Sequence, residues 1–144
     1  MPGDDGAPPG ELRFGILFNG DPRRAARLER WGLDSLWVGG HIAAANRTAE
    51  ALTALARMSA TTERVLLGTS VLLLPLYPPA IVAKAAADLD RVTGGRVIVS
   101  VGGESPQEYR ACQVPRETRG RRLDEAIPLL RRLWTAQPVT HEGR

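Results

Sequence analysis

Cysteine is nearly absent from this chain of 144 residues: Cys112 stands alone. No internal disulfide can form, so the chain must build a hydrophobic core instead of relying on crosslinks. A lone thiol fits a reducing compartment, and a cytoplasmic location is the expectation. Lysine is as scarce. Of 19 basic residues only Lys84 is a lysine, and against 16 acidic residues they leave a net charge of +3. Aromatics make up 5% of the chain and no basic face interleaves with them, so nucleic acid is not an expected partner. Residues Met1 to Gly10 are acidic and rich in proline and glycine, with neither the basic nor the apolar part of a signal peptide. Residues 1–11 read as a disordered lead-in. An unbroken apolar run of membrane-spanning length is missing too. The most apolar stretch, Val65 to Val82, is interrupted by Gly68, Pro75, Pro78 and Pro79, and divides into a strand, a loop and a helix.

What is present is a patterned chain with 43% apolar residues, long enough to bury roughly 68–70% of its unfolded surface in one core. Leu12 to Phe18 is a short apolar run bounded by Gly20-Asp21-Pro22, the pattern of a strand covered on both faces. Asp21 and Pro22 then open a helix through Ala25, Ala26 and Leu28, stopped at Gly32. Leu36-Trp37-Val38 forms a second strand ending in Gly39-Gly40-His41, and Thr48 starts a helix with Leu52, Leu55, Ala56 and Ser59 on one side. Val65 to Val71 is the third strand. A helix after Pro78-Pro79 carries Ile81, Ala85, Leu89 and Val92 and stops at Gly94-Gly95. Val97 to Val101 is the fourth strand, and the last helix aligns Leu123, Ala126, Ile127, Leu130, Leu133 and Trp134, with Pro128 either kinking it or marking its start.

Strict strand–helix alternation without a hairpin signal requires right-handed crossovers and a parallel sheet, so the fold class is α/β. A four-stranded open sheet and half of an eight-stranded barrel give the same pattern. Both place ligands at the carboxyl ends of the strands. Asn19-Gly20, Gly39-Gly40-His41, Ser70-Val71 and Gly102-Gly103-Glu104 collect there. Of these, His41 and Glu104 are the candidates for proton transfer, one an imidazole behind two glycines, the other a carboxyl at a strand mouth. Gly102-Gly103 lacks the spacing of a phosphate loop. Glu108 and Tyr109 read as part of a solvated loop. Cys112 has no partner for a metal and no activating neighbour, and the arginines from Arg116 to Arg132 read as a solvated helix face.

Several segments taken together carry a resemblance. Leu28-Glu29, Gly32 to Val38, His41, Leu67 to Val71, Pro79, Ala83-Lys84, Leu89-Asp90, Gly94-Gly95-Arg96, Val101-Gly102, Arg119-Gly120, Leu123 to Glu125 and Leu133-Trp134 follow in order and spacing. This series resembles the bacterial luciferase-like flavin- or deazaflavin-dependent oxidoreductases, which are eight-stranded βα (TIM) barrels. The resemblance implies an oxidoreductase, a monooxygenase or a hydride-transferring dehydrogenase, with FMN or the deazaflavin coenzyme F-420 and a small organic substrate. It implies His41 as the group acting on a substrate hydroxyl and Glu104 as an acid near the ring. Ser70-Val71 would form a bulge with a cis peptide behind that ring, and Gly102 and Gly103 would lie beside it. Gly40 stands where the family commonly has an acidic residue.

A full barrel takes about 250 residues, so the resemblance makes residues 12–144 an N-terminal half barrel. An isolated half leaves strand edges and interior positions such as Ile16, Leu72 and Ile98 open, and implies either self-association or a second half as partner. A truncated half barrel without catalysis of its own is the alternative expectation.

Overall fold

The computed structural model describes residues 12–44, 47–103, 105–135 and 137–143; the expected disorder of 1–11 falls outside these. Four parallel strands, β1 (Gly15–Phe18), β2 (Ser35–Gly40), β3 (Leu66–Leu72) and β4 (Val97–Val101), lie side by side in chain order. Between and after them run α1 (Pro22–Arg30), α2 (Ala51–Ser59), α3 (Pro79–Thr93), the short α4 (Pro106–Ala111) and α5 (Arg119–Leu133). Right-handed crossovers that always step in the same direction place successive helices on one side of the sheet. This sheet therefore has one covered face and one open face.

Side-chain alternation divides the strands between those faces. Leu36 and Val38 of β2, with Leu67 of β3, are buried on the helix side against Ala25, Leu28, Ala54, Leu55, Met58 and Val82. On the other side lie Leu17, Trp37, Gly68 and Ile98, brought alongside one another by the strand register. The indole of Trp37 covers Gly68 and Gly15 so closely that a Cβ at either glycine would overlap it, and its Nε1 donates to Ser35 Oγ at 2.8 Å.

The covering of both faces expected for the first strand does not occur. Ile16 and Phe18 pack against the core while Leu17 is 58% exposed, because no second helix layer faces it. Two of the three positions expected to be open also prove covered: Ile16 is on the helix side and Leu72 is fully buried. For Leu72 the reason is a register shift. β3 slips against β2 between Val38 and Gly40, and against β4 between Thr69 and Leu72, and the bulge returns Leu72 to the helix face. Ile98 keeps its expected place.

Local chemistry explains the helix ends. Asp21 Oδ1 accepts from the Arg24 N–H at 2.9 Å with Pro22 at the first helical position. α2 begins three residues later than the expected Thr48, because Glu50 supplies the cap, its carboxylate accepting from the N–H groups of Leu52 and Thr53. α3 ends at Gly94 in the left-handed conformation, φ 70°, in line with the glycine pair there. Pro128 neither starts nor ends α5, which runs from Arg119 to Leu133 around it.

The amino-terminal ends of the strands are tied together by two polar clamps. Glu29 of α1 accepts from the N–H groups of Glu63, Arg64 and Val65, which lead into β3. Arg96 donates to the carbonyls of Thr62, Val65 and Thr93, joining the entrances of β3 and β4. Arg122 of α5, expected to be solvated, donates to the Pro75 carbonyl at 2.7 Å and fixes the turn after β3. No helix among the described residues is long and apolar enough to cross a membrane.

Candidate functional site

At the carboxyl ends the strand register brings the loops after β2, β3 and β4 together. Gly40 ends β2 directly against the β3 bulge, where a Cβ would overlap the Val71 carbonyl oxygen and come within 2.9 Å of Leu72 Cα. The Ser70–Val71 peptide bond is cis. From the other side Gly102 approaches the same residue, its missing Cβ lying 3.0 Å from Val71 Cγ2. Gly40, Val71 and Gly102 thus form a continuous rim in which Gly40 admits the β3 backbone and Gly102 admits the Val71 side chain, where a Cβ would not fit. Gly103 follows, with its carbonyl 3.4 Å from the Tyr109 hydroxyl, and Ser70 stands exposed at the strand end.

His41 leaves this rim as the next residue after Gly40. Its side chain is 56% exposed, but its Nδ1 lies 3.0 Å from Oε1 of Glu108, which is only 2% exposed. The second carboxylate oxygen of Glu108 accepts from the backbone N–H groups of Ile42 and Ala43, at 2.9 and 2.6 Å. A residue assigned to a solvated loop is therefore the buried anchor of the His41 loop. The physical reason is the short α4, which packs the segment after β4 back onto the strand ends and buries Glu108 and Tyr109 together. Glu104, the second titratable candidate, lies outside the described residues.

Electrostatics around the anchor are consistent with an ionised carboxylate. Burial by itself would raise the Glu108 carboxyl, but the Ala43 N–H, His41 and the Ile42 N–H outweigh it and hold the group below the usual glutamate value. Behind it the Tyr77 phenol is pushed up to about 12 by burial and by the negative charges near it, Glu50 foremost. Burial and Glu108 likewise push the Cys112 thiol up, the opposite of what an activated thiolate needs. Among the described residues no three His, Cys, Asp or Glu side chains gather in a group able to hold a metal ion.

The two glycines let the loops after β2 and β4 close tightly on Val71 of the bulge, and the exposed Ser70 and the His41 imidazole stand at the border of that junction. A parallel βα sheet with its glycines and its titratable side chain gathered at the strand carboxyl ends is a layout shared by βα barrels and open α/β sheets. This chain belongs to the luciferase-like monooxygenase family, whose model matches residues 18–144. The F420-dependent glucose-6-phosphate dehydrogenase of Kineococcus radiotolerans is 40% identical over 127 residues, covering 83% of this chain and 38% of that protein. The 4-hydroxyprotoasukamycin monooxygenase of Streptomyces nodosus subsp. asukaensis is 37% identical, over 88% of this chain and 35% of that one. In structure, the oxygenating constituent of the 3,6-diketocamphane monooxygenase of Pseudomonas putida, solved with FMN, superposes with a TM-score of 0.83. The match covers 92% of this chain and 42% of that one at 19% identity, a likeness of fold. The four βα units are therefore part of a TIM barrel, and the chain spans under half the length of the relatives it matches.

Proposed function

We propose that this chain supplies the N-terminal half of a flavin- or deazaflavin-dependent oxidoreductase that acts on a small organic substrate. The observation that carries the reading is the convergence at the strand carboxyl ends of the Ser70–Val71 bulge, with its cis peptide, and the two glycines packed against it, Gly40 and Gly102, next to His41. A planar ring would be backed by this bulge, and the residues to hold it are Ser70, Val71, Gly102 and Gly103. F-420 or FMN, when bound, supplies hydride or oxygen chemistry that no side chain can. His41 then borders the ring and handles the proton of a substrate hydroxyl, and Glu104, which follows Gly103 in the sequence, is the proposed acid. The choice between the two cofactors follows the relatives, since both F420-dependent and FMN-containing proteins are among those similar to this chain.

The test is thermal unfolding of the chain with excess FMN or F-420. A ligand that binds only the folded state raises its stability by about 2.7 kcal/mol at a concentration of 100 Kd. One cofactor is expected to raise the midpoint, and the shift is expected to shrink in His41→Ala. A cooperative transition that neither cofactor moves would refute a cofactor site in this chain.

A second reading, a half barrel that associates with itself or with a second half, is favoured by the open sheet face. Leu17 is 58% exposed there, alongside Trp37 in the strand register. Covering such a patch with a like surface is favourable by about 25 cal/mol per Å² of apolar area removed from water. Sedimentation is expected to show the chain heavier than a monomer, and Leu17→Lys to return it to monomer mass. A wild-type chain that stays monomeric at high concentration would rule out self-association.

A further inference from the structure

We propose that Glu108 is the positioning residue of His41: its buried carboxylate accepts a hydrogen bond from Nδ1–H, fixes the imidazole in the Nδ1–H tautomer, and leaves Nε2 as the proton acceptor at the rim. This rests on the placement of His41 at the site proposed above, and adds which nitrogen works there and what keeps it so. An ionised carboxylate accepts only, and Glu108 faces the Ile42 N–H, the Ala43 N–H and Nδ1 of His41. Two of these groups are backbone donors by necessity. A carboxylate held by them presents an acceptor to the third, so Nδ1 must carry hydrogen whether the ring is neutral or charged.

Geometry then fixes the other nitrogen. In a neutral imidazole the proton on Nδ1 leaves the lone pair on Nε2. The same carboxylate grips the two residues that follow His41, so ring orientation and loop path are set by one group 67 positions away in the chain. Orienting an active imidazole through its second nitrogen by a buried carboxylate is a general way to prepare a base, because a ring in the wrong tautomer has no lone pair where the proton is to be received.

The chain carries its own internal comparison. Its other histidine, His141, meets Glu125 Oε1 through Nε2 at 2.9 Å, on the surface. The two imidazoles are therefore expected in opposite tautomers. Long-range proton–nitrogen NMR spectra of the 144-residue chain, taken where both rings are neutral, read each nitrogen directly. His41 is expected with Nδ1 protonated and Nε2 bare, His141 with the reverse. In Glu108→Ala the Nδ1–H form of His41 is expected to drop from nearly the whole population to the minor one while His141 is unchanged.

A wild-type His41 protonated on Nε2, or an unchanged tautomer in folded Glu108→Ala, would overturn the proposal. Should the alanine chain not fold, Glu108→Gln decides. Its amide offers one oxygen to three donors, so a reduced Nδ1–H population supports the assignment and an unchanged one refutes it. A purely structural role for Glu108 in holding the Ile42 and Ala43 loop would not move the tautomer. The spectra need no cofactor, so a fixed tautomer in a chain that binds neither FMN nor F-420 upholds Glu108 and overturns only the cofactor reading.

Discussion

Gly40→Ala will destabilise the fold by about 3 kcal/mol and remove the cofactor-dependent stabilisation proposed above, whereas Gly39→Ala one residue earlier will change stability by less than about 1 kcal/mol. The contrast comes from what each new methyl group meets. At Gly40 it overlaps the Val71 carbonyl oxygen and sits 2.9 Å from Leu72 Cα, both backbone atoms. A flexible side chain can swing aside, but here β2 or the β3 bulge must move. At Gly39 the only near atom is His41 Cδ2 at 3.5 Å, an ordinary contact. Because β3 is hydrogen-bonded on both sides, the displacement at Gly40 spreads to the pairing of Leu72 with Val101 and so to the rim itself. Denaturant unfolding of the two variants measures the difference, and a Gly40→Ala chain as stable as the wild type would show that Gly40 is not held against the bulge.

The same position shows how far the sequence can be read. The four strands, the helices α1, α2, α3 and α5, their order and the glycine stop of α3 follow from periodicity and turn chemistry, as at Asp21, Pro22 and Gly94, whereas α4 stands where a solvated loop is expected. Burial on a particular face follows less well. In an apolar run Ile16 and Leu72 both read as open interior positions, yet both lie on the helix side. For Leu72, nothing local announces the bulge that resets the alternation. The start of α2 differs from its expected place for a related reason: Thr48 and Glu50 can both cap, and only packing decides which does.

Glu108 is the residue whose role is least legible in the sequence. Ser105-Pro106-Gln107-Glu108 has the Ser-x-x-Glu spacing of a helix start, a local signal that the reading of this segment as a solvated loop passes over. That local pattern predicts a capping role, yet Ser105 makes no side-chain cap and the carboxylate turns to His41 and its loop instead. A contact across 67 residues depends on how β2 and β4 are spaced by β3, which is tertiary information. His41 itself is visible, since glycines before a titratable residue at a strand end are a local signal. Its partner is not.

Glu29→Ala will destabilise the chain by about 3 kcal/mol, and Glu29→Gln by less than half as much. Glu29 is buried on α1, and its Oε1 alone accepts from the N–H groups of Glu63, Arg64 and Val65 at 3.0, 2.7 and 2.9 Å. Removing the side chain leaves these donors with no acceptor, each a loss of about 1–3 kcal/mol that partial hydration offsets. Glutamine keeps one oxygen in place for all three, losing the charge and the weaker contact of Oε2 with the Glu63 N–H. The charge has a second consequence. Burial by itself would raise the Glu29 carboxyl, but the three N–H groups and the Arg64 charge prevail and hold it below its ordinary value. A carboxyl depressed in the folded state stabilises the fold above its unfolded value of about 4.3, and that contribution is lost as the pH falls through the lower folded value. Glu108 acts in the same direction. The wild-type chain should therefore lose stability progressively in acid, and Glu29→Gln should lose less over the same interval, because one of the two depressed carboxyls no longer takes up a proton on unfolding. Parallel acid titrations of the two proteins with equal slopes below about pH 4.3 would show that Glu29 is not the ionised clamp between α1 and β3.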